Sequence, residues 1–165
     1  MNMKRCLTAL LIIGGAAIAP PTLGETPRGI GNNNPFNIEE THETWKGQIA
    51  CPDPRFVCFS HVRYSIRAAT FVLHSYHHRH GIVHLSDVMA RWAPHHENPT
   101  EAVYAFVSNE LRGSGRVGPD NLYRLLEAII HIENGIQPYS REMIRREVRN
   151  ALEERESNLV WFVID

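Results

Sequence analysis

Nowhere in these 165 residues is there a long block of basic side chains, and 17 Lys and Arg against 18 Asp and Glu leave a formal charge of −1. Nucleic-acid binding draws much of its affinity from clustered cations that neutralise phosphates, so the sequence offers little footing for it. No apolar run reaches the roughly 20 residues that a membrane-spanning helix needs. The His-Glu-x-x-His pattern that places two zinc ligands and a base on one helix face is missing. There is no internal repeat, which excludes solenoid architectures. Cysteine is scarce, with three residues in all.

What is present begins with an export-like segment. Met1 to Arg5 carry Lys4 and Arg5, an apolar run follows from Cys6 to Ala19, and Pro20, Pro21, Thr22, Leu23 and Gly24 close it. That is the layout of a signal peptide, with cleavage expected after Gly24. The run at residues 6–19 is only weakly apolar, so a slow-release membrane anchor is the other reading. Residues 25–165 then form one domain. Export leaves Cys51 and Cys58 in an oxidising compartment, where they are expected to pair rather than stay as free thiols. The domain is expected to act as a monomer and to need no cofactor.

Residues 25–37 are rich in Gly, Asn and Pro and read as a loop. Scattered apolar residues from Ile38 to Phe59, interrupted by Pro52 and Pro54, suggest a small irregular β-hairpin or meander. Ile66, Ala69, Val72, Leu73 and Tyr76 predict a helix from about Val62 to His80, stopped by Gly81. A shorter helix is expected from Leu85 to Trp92, ending before Pro94. Asn98, Pro99 and Glu101 form an N-terminal capping pattern for a third helix, which carries Val103, Tyr104, Phe106, Val107 and Leu111. After a Gly-rich loop at 112–119, a helix runs from about Asn121 to Glu133, with Asp120 as its cap and Asn134-Gly135 as its stop. The last helix starts after Ser140 and continues to about Ser157 with a solvated face of Arg and Glu. The apolar tail from Leu159 to Ile164 is read as a strand or a packed end. The fold class is mainly α (α+β), with a small β-hairpin region.

Leu122, Leu125, Leu126, Ile129 and Ile130 make one apolar stripe, and Glu133 falls three turns after Leu122 on the same stripe. Desolvation and the negative end of the helix dipole would both favour its protonated form. A carboxylic acid kept protonated near neutral pH is the general acid that glycoside cleavage requires. The same spacing also fits a stripe that merely reaches solvent, or a Glu paired with Arg67, Arg91 or Arg124.

Arg28-Gly29-Ile30-Gly31-Asn32-Asn33-Asn34-Pro35-Phe36-Asn37-Ile38 resembles the Arg-Gly-Ile-x-Asn-Asn-Asn-Pro-x-Asn-Ile signature of a family of small lysozyme-like peptidoglycan hydrolases from phage virions and lysis systems. Further similar blocks follow in order: Trp45-Lys46-Gly47; Phe59-Ser60 with Ser65-Ile66-Arg67-Ala68; Arg91-Trp92-Ala93-Pro94 with Glu97-Asn98-Pro99-Thr100; and Ala128 to Gly135 with Gln137-Pro138-Tyr139-Ser140. Gly31 stands where that family usually has Arg, Phe36 where it usually has Gly, and Ser65 where Gly is common. The β region is also distantly similar to that of cell-wall glucosaminidases, and residues 97–107 to a helix start in lytic transglycosylases. In those enzymes the catalytic Glu helix precedes the β region. Here the candidate Glu comes late, so the resemblance implies a circularly permuted lysozyme-like fold in which the Glu133 helix packs back on the Asn-rich loop.

The resemblance implies peptidoglycan glycan strands as the partner and Glu133 as catalytic acid. Glu39, Glu40, Asp53 and Glu97 are candidates for a second carboxylate; each also has a bland reading as a hairpin charge or a cap residue. Asn32, Asn33, Asn34 and Asn37 could contact N-acetyl groups or simply hold the loop. Trp45, Trp92 and Tyr139 could stack on sugar rings or pack in the core. His74–His78 and His80–His84 have the spacing of zinc ligands, with His77, His95 and His96 nearby. A solvated polar face is the preferred reading, and no metal is expected. A non-catalytic virion or wall-binding protein and a zinc-dependent wall amidase or peptidase are the alternatives.

Overall fold

The computed structural model describes residues 26–92 and 101–161. The export-like segment at 1–24, Glu97, the Asn98 cap, His95, His96 and the chain beyond 161 lie outside the described residues. Within them the order is α1 (Arg28–Gly31), β1 (Gln48–Ile49), β2 (Cys58–Phe59), α2 (Val62–His80), α3 (Leu85–Trp92), α4 (Glu101–Glu110), α5 (Leu122–Asn134) and α6 (Arg141–Trp161). The mainly helical reading with a small β region is therefore right. No helix among the described residues is long and apolar enough to cross a membrane.

Helix α2 buries the predicted stripe: Ile66, Ala69, Val72, Leu73 and Tyr76 are all at or below 5% exposure. Its first turn is capped by His61, whose Nδ1 accepts from the Arg63 amide at 3.1 Å. It ends where Gly81 turns left-handed (φ 64°) and the Gly81 and Ile82 amides bond back to His77 and Tyr76. The main partner of α2 is α6. Ile144, Val148 and Ala151 are buried at three- and four-residue spacing among the charges of α6. The Arg/Glu face of that helix is not simply solvated, as the sequence suggested. Arg67 on α2 donates to both oxygens of Glu154 at 2.7 and 2.8 Å, and Lys46 lies 3.6 Å away. The Arg67 bond holds the Glu154 carboxyl below its usual range.

The β region is smaller than a full hairpin. Gln48 and Ile49 pair antiparallel with Phe59 and Cys58, and an isolated bridge joins Glu39 to Phe56. A disulfide between Cys51 and Cys58 closes the connection, as expected. Two expectations fail locally. Residues 28–31 are a one-turn helix rather than loop, and Asn121, not Asp120, precedes α5. The Asn121 side chain makes no cap. Its Oδ1 accepts from the Gly118 amide and its Nδ2 donates to Arg116 O, so it fixes the preceding turn.

Candidate functional site

The Asn-rich segment is a structural knot tied by its own amides. Asn34 is 1% exposed; its Nδ2 donates to Ile38 O and Val57 O while its Oδ1 accepts from the Ile38 amide. Both of its N–H donors are spent on backbone, and its burial closes the side chain to a substrate. Asn33 donates to Phe59 O at 3.0 Å, and Asn32 O accepts from the Phe59 amide. Asn33 and Asn37 both sit at positive φ (49° and 47°), which Asn tolerates better than other side-chain-bearing residues. The loop is thereby fastened to β2 on one side, and Phe36 turns into the core edge-on to Trp92. That contact accounts for the bulky residue at position 36.

On its other side the loop meets the end of α5. Asn37 Nδ2 donates to Glu133 Oε2 at 2.7 Å across 96 residues of sequence. Next to it, the buried Asn134 donates to Pro35 O and to Ile130 O, both at 2.8 Å. Gly135 then ends the helix at φ 69°, a conformation that costs glycine least. Each residue of Glu133-Asn134-Gly135 thus serves the junction. Gly29 makes the junction possible. A Cβ there would lie 2.5 Å from Asn134 Oδ1, 3.0 Å from Asn34 O and 3.2 Å from Asn37 Oδ1. The expectation that the Glu133 helix packs back on the Asn-rich loop is met. Glu133 is half-buried at this seam, with the stripe from Leu122 to Ile130 buried behind it.

Other predicted residues fall elsewhere. Glu39 pairs with Arg55 at 3.0 Å, and exposed Glu40 accepts from Gln48. Asp53 accepts from the Arg55 and Phe56 amides, capping a turn. Trp45 and Tyr139 are half-buried against the core. The Trp45 indole N–H is buried without an acceptor among the described residues, and burial pushes the Tyr139 hydroxyl above its usual pKa. His74 and His78 stack ring on ring at 3.9 Å. Among the described residues, no three His, Cys, Asp or Glu side chains come together as a metal site requires.

Sequence reasoning missed Glu127. It is 7% exposed and receives Arg141 Nε at 2.9 and 3.0 Å, which ties α5 to α6. Gln137 caps the same turn by donating to Glu127 O and accepting from the Tyr139 amide. No periodicity could have paired residue 127 with an arginine beyond the next loop.

The architecture is a mainly helical domain whose loop and helix end, distant in sequence, grip one carboxylate. The chain is 33% identical to Protein P5 of Pseudoalteromonas phage PM2 over 138 residues, which cover 80% of this chain and 86% of the phage protein. It belongs to the family of that phage protein. No family model matches the sequence.

Proposed function

We propose that this protein is an exported enzyme that cleaves the glycan strands of bacterial peptidoglycan, with Glu133 as general acid. The observation that carries this reading is the 2.7 Å bond from Asn37 to Glu133. It joins the first and last blocks of the signature around a single carboxylate, and it fixes that carboxylate's orientation at the end of a buried helix. A positioned carboxyl of this kind donates its proton to the glycosidic oxygen as the bond to the anomeric carbon breaks. The resulting oxocarbenium-like centre is then captured by water or by the muramic acid 6-hydroxyl. Of the candidates for a second carboxylate, Glu39, Glu40 and Asp53 are engaged by Arg55, Gln48 and the 53–56 turn, and Glu97 lies outside the described residues. The Cys51–Cys58 disulfide supports an oxidising compartment. The meeting of the early β region with the late Glu helix supports a lysozyme-like fold of permuted order.

Glu133→Gln keeps an acceptor for Asn37 and removes the acid. It is expected to retain wild-type melting and to lose clearing of a peptidoglycan suspension. Mass spectrometry of wild-type products then assigns the chemistry: anhydro ends mark transglycosylase and reducing ends mark hydrolase. Clearing by the folded variant at the wild-type rate refutes the role of Glu133. Wall binding without any released glycan by the wild type would make the protein a non-catalytic wall binder.

A further inference from the structure

Strands β1 and β2 are two residues each, with Gln48 opposite Phe59 and Ile49 opposite Cys58. So short a pair is marginal by itself. The fastening of the Asn-rich loop nevertheless converges on it. Val57 O accepts from Asn34 Nδ2, and the Val57 amide donates to Ile38 O. Phe59 O accepts from Asn33 Nδ2, and the Phe59 amide donates to Asn32 O. Cys58 stands between these two residues, and its disulfide ties it to Cys51, two residues beyond β1. The crosslink therefore bears on the groups that set Asn37. The Asn37 amide donates to Asn34 O, the Ile38 amide donates to Asn34 Oδ1, and the Asn37 side chain reaches Glu133. Helices α2, α5 and α6 pack on one another with no cysteine among them.

We propose that the Cys51–Cys58 disulfide is a redox switch for the seam. Oxidised, it holds β2 and the Asn-rich loop so that Asn37 orients Glu133. Reduced, the loop and β2 open locally while the helices stay folded. The reductant is a dithiol. One of its thiolates attacks Cys51, which is partly exposed, and Cys58, at 7% exposure, leaves as a thiolate and takes a proton. The second thiolate of the dithiol then displaces Cys51, which is protonated in turn, and the reductant departs as a disulfide. Two electrons and two protons pass to the chain. Oxidation is the same exchange run backwards from a disulfide donor of the exported compartment. Without the crosslink, residues 51–58 regain chain entropy when they open, so local opening becomes easier. The effect on activity rests on the glycan-cleaving reading of Glu133; the structural change does not.

The test follows the full-length chain under dithiothreitol and then under oxidised glutathione, at a temperature where its helical signal is intact. Two readouts are taken: the Asn37 side-chain amide resonances and the clearing of peptidoglycan. On reduction the Asn37 resonances are expected to move to the position of a solvated amide, and clearing to fall by about tenfold or more, with both restored on reoxidation. The Cys51→Ser, Cys58→Ser double variant is expected to hold the reduced values in either reagent, and Cys6→Ser to respond as the wild type does. Asn37 resonances that stay in place on reduction, undiminished clearing by the reduced chain, or loss of the helical signal together with the seam would each overturn the switch. If the oxidised chain clears no peptidoglycan, the reading of Glu133 falls, and the Asn37 resonances alone decide the switch.

Discussion

Gly29→Ala, compared with Gly31→Ala, tests how the Glu133 seam is held. Both glycines belong to the single turn of α1. A Cβ at position 31 meets nothing within 4 Å, so Gly31→Ala should stabilise the protein by roughly 0.4–1 kcal/mol through lost freedom of the unfolded chain. At position 29 the same entropic gain is opposed. The Cβ would stand 2.5 Å from Asn134 Oδ1 and 3.0 Å from Asn34 O, one of them backbone that is itself fastened in the loop. Overpacking of this kind costs about 1–3 kcal/mol. Displacing Asn134 also loses its bond to the buried Pro35 carbonyl, about 1 kcal/mol more. The net expectation is a loss of about 2 kcal/mol, or a melting point lower by roughly 6–8 °C for a domain of this size. Because Asn37 Oδ1 lies only 3.2 Å from the added carbon, the bond to Glu133 should shift as well. Peptidoglycan clearing, measured where both proteins are folded, should therefore fall beyond what stability explains. Urea midpoints and a double-mutant cycle with Asn134→Ala provide the assay, with coupling expected between the two sites. If Gly29→Ala gains stability as Gly31→Ala does, close approach is not what fixes the glycine and this account of the seam fails.

Three other outcomes can be checked. Asn37→Gly suits the φ of 47° and removes the donor to Glu133, so activity should drop by about tenfold or more while stability falls by only about 1 kcal/mol; wild-type kinetics would remove Asn37 from the mechanism. Burial, together with the charges of His78, Arg155 and His77, lowers His74 from 6.5 to about 4. The unfolded chain then holds more protons between those values, so this contribution to stability is complete above pH 6.5 and is lost as pH falls toward 4. The ring is partly exposed and screened, so the size is on the order of 1 kcal/mol, and His74→Phe should flatten that part of the acid limb; identical slopes for the two proteins would count against it. Removing the disulfide with Cys51→Ser and Cys58→Ser should cost about 2.5 kcal/mol from loop entropy, read as a shift in urea midpoint, and an unchanged midpoint would show that the crosslink restrains little of the unfolded chain.

The sequence exposed those parts of the fold whose causes are local. Helix α2 was legible because its apolar residues are dense and Gly81 stops it, and α5 because its stripe is unbroken from Leu122 to Ile130. The core stripe of α6 was hidden, since Ile144, Val148 and Ala151 are sparse among charges and gain meaning only once α2 lies against them. One turn at α1 is too short for any periodicity to register. Of the candidate site, Glu133 stood out as a carboxylate on an apolar face. Its contact with Asn37 is a tertiary fact that only the order of the signature blocks foreshadowed. The asparagines divided in a way no local rule predicts: Asn34 is wholly spent on backbone, whereas Asn37, three residues later, reaches another element.

The 96 residues between Asn37 and Glu133 also separate the two halves of the seam in time. At roughly 5–20 residues per second, a ribosome finishes the loop about 5–20 s before it finishes the end of α5. During that interval the loop can knot itself with Asn34, but Asn37 has no carboxylate to hold. Closing so long a loop is slow and comes only with the helices between. A nascent chain therefore carries no assembled seam, and the carboxylate acquires its orientation only after synthesis has passed residue 133.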